Sequence, residues 1–288
     1  VEQAGGVGGK VEADIDNKSN IFNVLADILE LQLDSFAVTD SVREAVLYAM
    51  GSGGKLLRPR LLLGAHQDLV LNKVGAGSQQ APLRAALAVE LLHAASLVHD
   101  DLPALDNDDF RRGQPSCHRR FSESTAILAG DLMVGVSFSL LGDEMSVRCV
   151  PSLSRAWVLL CDGQQRDLEE LGSVTEADEM VARKTGALFQ ASTEMGAVIA
   201  GAAAELVEQY GRFGLTFGRA FQALDDLVDG DQPRMFGSTE KYLSTHRAEL
   251  FDQLSELEVA LGRHSALRAI AETVFNREIS PKKGAPTT

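Results

Sequence analysis

Basic residues are scarce in this sequence: 27 lysines and arginines stand against 41 aspartates and glutamates in 288 residues, a formal net charge of -14. Nucleic acid and anionic membrane surfaces are normally met by basic patches, so neither is expected as a partner. A polyanionic ligand would need metal ions or a local basic cluster. Cysteine is scarce too. Cys117, Cys149 and Cys161 are odd in number and lack the paired spacing of a zinc site. They read as reduced thiols of a cytoplasmic protein, or of one in the plastid stroma if a transit peptide has been removed. The opening VEQAGGVGGKVEADID lacks the apolar core of a signal peptide, and no stretch reads as long and apolar enough to span a bilayer, so a soluble chain without an integral membrane segment is expected. Period-two runs of β-branched and aromatic residues are nearly absent, which argues against a sheet. No fixed-period repeat is present, which argues against a solenoid.

What the sequence has is helical periodicity. Ile21, Val24, Leu25, Ile28 and Leu29 recur at the spacing of an amphipathic helix, and the pattern continues from Val42 to Met50 before stopping at GSGGK. Helices are predicted over Pro82 to His99, Ser124 to Leu141, Val150 to Leu171, Ala177 to Ala200, Ala204 to Val228 and Ser238 to Phe275. Segments such as APLRAALAVELLHAASLVHD are apolar on more than one face, as in the interior of a bundle. The expected fold is all-α: a single-domain helical bundle over residues 20–279, between flexible segments 1–19 and 280–288.

Two carboxylate clusters interrupt this pattern. In HDDLPALDNDDFRRG, Asp100 and Asp101 close an apolar helix, Pro103 breaks it, and Asp106 is expected to turn back toward them. Aspartates at a helix C-terminus oppose the helix dipole, so either solvent or a cation must compensate them. Carboxylates gathered in this way suit Mg²⁺, which takes hard oxygen ligands and completes its shell with water and substrate phosphates. In FQALDDLVDGD, a helix puts Gln222, Asp225, Asp226 and Asp229 on one stripe, with Ala223, Leu224, Leu227 and Val228 on the packed side. Each cluster alone could be a solvated acidic face; two on long apolar helices favour metal binding. Lys55, Arg58, Arg111, Arg112 and Lys184 stand beside glycine turns or aspartates, either as diphosphate ligands or as ordinary ion-pair partners.

Taken in order, GGKLLRP, ELLHAASLVHDDLPALDNDDFRRGQPSCHRRF, STAILAGD, DGQQRDLE, KTGALF and FQALDDLVD resemble the motif series of the trans-isoprenyl diphosphate synthases, from about Gly53 to Asp229. The four residues between the aspartate pair and Asp106 resemble geranylgeranyl or farnesyl synthases of bacteria and plants. The resemblance implies a homodimeric bundle with a central substrate cavity. It also implies Mg²⁺-dependent head-to-tail condensation of isopentenyl diphosphate with allylic diphosphates, most simply to geranylgeranyl diphosphate, with farnesyl diphosphate as the alternative. By the same resemblance, Asp100, Asp106 and Asp225 would ligate three Mg²⁺ ions with Asp101, Asp226 and Asp229 assisting. Arg111, Lys184 and Gln222, with Thr185 and Phe221, would hold the allylic substrate. Lys55, Arg58, His93 and Arg112 would hold isopentenyl diphosphate. Ala95 and Ser96, five and four residues before Asp100, would form a small-residue floor that sets chain length.

One part of the pattern is missing. The family continues after the second aspartate cluster with a lysine-bearing, glycine-rich lid, whereas Asp231 here runs into QPRMFGSTEKYLSTHRAEL, and Lys241 is a poor substitute. Either the chain lacks the lid, as do some non-catalytic partner subunits, or the sequence in hand omits a short stretch. The intact aspartate clusters favour omission. A catalytic synthase and a regulatory subunit of a heteromeric synthase both remain open, as does a terpene cyclase on the same fold, which the isopentenyl-pocket residues disfavour.

Overall fold

A computed structural model describes residues 17–51, 54–71, 80–144, 146–169, 172–229 and 238–276. The lid question therefore falls outside the described residues, as do the first 16 residues and the C-terminal tail.

Helix α1 (Lys18–Ser35) starts two residues ahead of Asn20 because the Asn17 side chain accepts the Asn20 amide at 3.2 Å. Its buried stripe is Ile21, Leu25, Leu29 and Leu33, one residue per turn. Helices α2 (Asp40–Gly51), α3 (Leu57–Val70) and α4 (Gln80–Asp100) follow. The sequence reading missed α3, since LRPRLLLGAHQDLV carries no clean apolar stripe; Pro59 sits in its first turn, where no intrahelical donor is needed. Contrary to the sequence reading, α4 is long and apolar enough to cross a membrane, with a mean hydropathy of 1.4 over its best window. That window is 83% buried within the bundle, so the apolarity of α4 belongs to a central core helix.

A two-stranded antiparallel hairpin, β1 (Phe110–Arg111) and β2 (Gln114–Pro115), leads to the short α5 (Cys117–Arg120) and then α6 (Glu123–Ser139) and α7 (Val150–Asp167). The predicted helix over Ala177 to Ala200 is interrupted: α8 (Val174–Val181) passes through a π-helical turn, Ala182–Gly186, into α9 (Ala187–Ile199). After α10 (Ala204–Asp229), the predicted Ser238 to Phe275 helix divides into α11 (Thr239–Leu261) and α12 (Ala266–Phe275). Gly262 ends α11 in the left-handed region at φ 67°, and Ser265 caps α12 by accepting the Leu267 amide at 3.1 Å.

Two apolar clusters make the core. One joins α1, α2, α4, α6 and α7; the other joins α10, α11 and α12 around Phe213, Phe217 and Leu254. Helices α3 and α9 contribute to both, so α4 and α10 are braced against a common partner. Buried Asp68 of α3 pins α12, accepting from the Ala266 amide at 2.7 Å, from the Ser265 hydroxyl and from Tyr210 Oη at 3.3 Å.

Candidate active site

The C-terminal end of α4 carries the first aspartate cluster. The chain turns back after Pro103, and the Asp106 amide donates to the Asp100 carbonyl at 2.8 Å, which returns the third aspartate as the sequence suggests. Burial, opposed by Lys184 and reinforced by Asp106, pushes the Asp100 carboxyl up to about 6. Asp101 is deeper and already engaged: Arg111 donates to it through both Nε, at 2.8 Å, and a terminal nitrogen, which also reaches Asp108 at 3.0 Å. Asp101 therefore anchors Arg111 at the edge of the cluster.

At the end of α10, Gln222 Nε2 donates to Asp226 at 2.8 Å, and Lys55 Nζ lies 3.5 Å from Asp225. Asp229 is the last residue of α10. The π-helical turn connects this end to the first cluster. Its Thr185 hydroxyl donates to Gln222 Oε1 at 2.8 Å, while the adjacent Lys184 donates to Asp167 at 2.6 Å and faces Asp100 electrostatically. A π-turn inside a helix is commonly found at functional positions, because it redirects side chains without ending the helix. Here it depends on Gly163 of α7: a Cβ at that position would lie 2.3 Å from the Lys184 amide nitrogen.

The proposed second group of cations also converges. Arg58 is half-buried with its guanidinium 4.2 Å above the Phe189 ring, and Lys55 lies 4.9 Å above Phe221. Burial pushes Arg58 down to about 10, against the pull of Glu90 and Asp225, so it stays charged at neutral pH. Arg112 is lowered by burial, with Glu90 holding it up. His93 is driven well below the ordinary histidine range by burial and then by Arg58, Arg112 and Arg111, and so faces the cavity as a neutral hydrogen-bonding group. A cavity of about 40 Å³ lies between α2, α4 and the hairpin, lined by Met50, Glu90, His93, Leu97, Arg111 and Arg112. Ala95 and Ser96 do not line it; Ala95 is fully buried, and the Ser96 hydroxyl donates to the His93 carbonyl.

Sequence reasoning singled out neither Asp167 nor Glu90. Asp167 was signalled by its place in DGQQRDLE, and Glu90 by being the one charged residue in the apolar run Ala85 to Leu92. Among the described residues, no three histidine, cysteine, aspartate or glutamate side chains gather into a metal site by themselves. The donors present are carboxylate oxygens on two separate helix ends. This fits a magnesium ion that takes one or two protein ligands and shares the rest of its shell with a diphosphate.

A family model described as polyprenyl synthetase matches residues 39–237. Geranylgeranyl diphosphate synthase of Methanosarcina mazei is 36% identical over 203 residues, covering 67% of this chain and 60% of its own length. Farnesyl diphosphate synthase of Bacillus subtilis is 38% identical over 239 residues, covering 78% and 76% respectively. The chain thus spans little more than half the length of several curated relatives it matches, 60% of the archaeal enzyme and 53% of a plant one. Among solved structures, geranyltransferase from Helicobacter pylori, complexed with magnesium and isoprenyl diphosphate, superposes with a TM-score of 0.76 at 28% identity, covering 90% of this chain and 97% of that one. With two aspartate-bearing helix ends joined through a lysine-bearing π-turn, and with the family match spanning most of the described bundle, this chain belongs to the polyprenyl synthetase family.

Proposed function

We propose that the protein is a catalytic, Mg²⁺-dependent prenyltransferase that condenses isopentenyl diphosphate head to tail with allylic diphosphates to give geranylgeranyl diphosphate. The observation that carries this reading is the linkage of both aspartate clusters to two sets of cations, Lys184 with Arg111 and Lys55 with Arg58, around one end of α4 and α10. Three magnesium ions held by Asp100, Asp106 and Asp225, with Asp101, Asp226 and Asp229 assisting, would neutralise the allylic diphosphate and make it a better leaving group.

Lys184, Arg111 and Gln222, with Thr185 and Phe221 beside them, orient the allylic diphosphate. Lys55, Arg58, Arg112 and neutral His93 hold isopentenyl diphosphate so that its double bond meets the allylic carbon. The cavity of about 40 Å³ is lined by His93 and Arg112 but not by Lys55 or Arg58, so isopentenyl diphosphate meets all four groups only as lining side chains turn. The apolar bundle beneath excludes water from the allylic cation.

The name of the Bacillus subtilis relative favours a second reading, farnesyl diphosphate as the end product. Incubation of the purified protein alone with Mg²⁺, isopentenyl diphosphate and labelled allylic substrates separates the readings. Linear geranylgeraniol after dephosphorylation supports the first and farnesol the second. A cyclic product, or none without a partner protein, overturns both.

Exposed Ile127 and Leu128 on α6 support a homodimer, to be tested by light scattering. The three free cysteines support a reducing compartment, cytoplasm or plastid stroma.

A further inference from the structure

We propose that Glu90 is the proton-accepting group of the isopentenyl diphosphate pocket, taking a proton from solvent when the diphosphate enters beside it. This rests on the reading of Lys55, Arg58, His93 and Arg112 as that pocket. Glu90 is 7% exposed and lines the same cavity as His93 and Arg112. The charges that act on it are those of Arg58, from α3, and Arg112, from the hairpin. For each of these guanidiniums, Glu90 is the largest influence opposing the effect of its own burial. Without substrate, one buried carboxylate therefore stands in the field of two partly desolvated arginines.

A diphosphate held by the same two arginines adds negative charge beside a carboxylate that is 7% exposed and so poorly screened by water. Like charge and desolvation then both disfavour ionised Glu90, whose carboxyl burial has already raised above the ordinary glutamate range. The other titratable groups facing the cavity are poorer acceptors. Asp101 is held by Arg111, and Tyr48 donates its hydroxyl to the Pro115 carbonyl at 2.6 Å. Burial pushes the Cys117 thiol up to about 11, so it already carries its proton. His93 would become a further cation among Arg58, Arg111 and Arg112, whereas protonating Glu90 removes a buried charge.

The sign follows from linkage. A ligand that raises the Glu90 value binds the protonated form more tightly, so affinity falls as pH rises from the free-state value to the bound-state value, by at most about tenfold per pH unit.

The test is calorimetric titration with isopentenyl diphosphate alone, in buffers of differing ionisation heat, over about pH 6 to 9. The wild-type protein takes up as much as one proton on binding. Glu90→Gln loses that uptake and binds at least as tightly at the alkaline end. Three results overturn the proposal: no proton uptake by the wild-type protein, which needs no variant to fold; unchanged uptake by Glu90→Gln, which assigns the proton to another group; or weaker binding by Glu90→Gln at every pH, which makes Glu90 a fixed anion. A wild-type protein that does not bind isopentenyl diphosphate at all removes the pocket reading, and the inference with it.

Discussion

Gly163→Ala tests how the site is aimed. The added methyl would stand 2.3 Å from the Lys184 amide nitrogen, 2.7 Å from its Cα and 2.9 Å from the Arg183 carbonyl carbon, whereas ordinary contact begins at 3.4 Å. All three are backbone atoms, so no side chain can swing aside. Helix α7 and the π-turn must separate by roughly 1 Å, a displacement that in a catalytic site can lower kcat/KM by about 100-fold. Overpacking of this kind costs about 1 to 3 kcal/mol of stability. The expected outcome is a folded protein whose melting temperature drops by several degrees and whose kcat/KM for the allylic substrate falls about 100-fold. Gly135→Ala on α6 is the control within one protomer, where its methyl meets nothing within 4 Å; because Gly135 stands seven residues after Leu128, on the face assigned to the dimer, its oligomeric state is checked by light scattering in parallel. Circular dichroism melts and steady-state kinetics read both variants. A well-folded Gly163→Ala enzyme with activity within about threefold of wild type would show that the approach of α7 does not hold Lys184 in place.

Asp100→Asn should abolish turnover while raising stability in metal-free buffer. Burial raises the folded-state carboxyl from 3.8 to about 6, so its contribution to stability is lost as pH rises through about 6, on the order of 3 kcal/mol. The variant should therefore melt above the wild type at about pH 7.5 and match it below about pH 4; equal melts at both would refute the assignment. Arg112→Ala should raise KM for isopentenyl diphosphate at least tenfold with little change for the allylic substrate, and Lys184→Ala the reverse, because the proposed function gives each a charge-assisted contact to a different diphosphate. Equal effects on both substrates in kinetics would merge the two pockets. Ala95→Phe should shorten the product to farnesyl diphosphate; because Ala95 is fully buried, its cost in stability, about 1 to 3 kcal/mol, must be read in parallel by thermal melt. Unchanged product length would move the floor elsewhere.

Local chemistry made much of the protein legible in advance. The one-per-turn spacing of Ile21, Leu25, Leu29 and Leu33, the break at Pro103 and the stripe from Gln222 to Asp226 depend only on helical period and turn residues, which neighbours in sequence decide. The ordered motifs around Asp100 and Asp225 pointed to the candidate site through the family resemblance they carry. What sequence could not reveal depends on groups far apart along the chain. Helix α3 has no clean stripe because both cores cover it, and α4 reads like a membrane span because the bundle surrounds it. The π-turn under Lys184 exists where Gly163, 21 residues earlier, lets α7 approach. The neutral state of His93, the engagement of Asp101 by Arg111 and the burial of Glu90 in the field of Arg58 and Arg112 are likewise tertiary. Desolvation and Coulomb interaction depend on distances through space, which one-dimensional order does not contain.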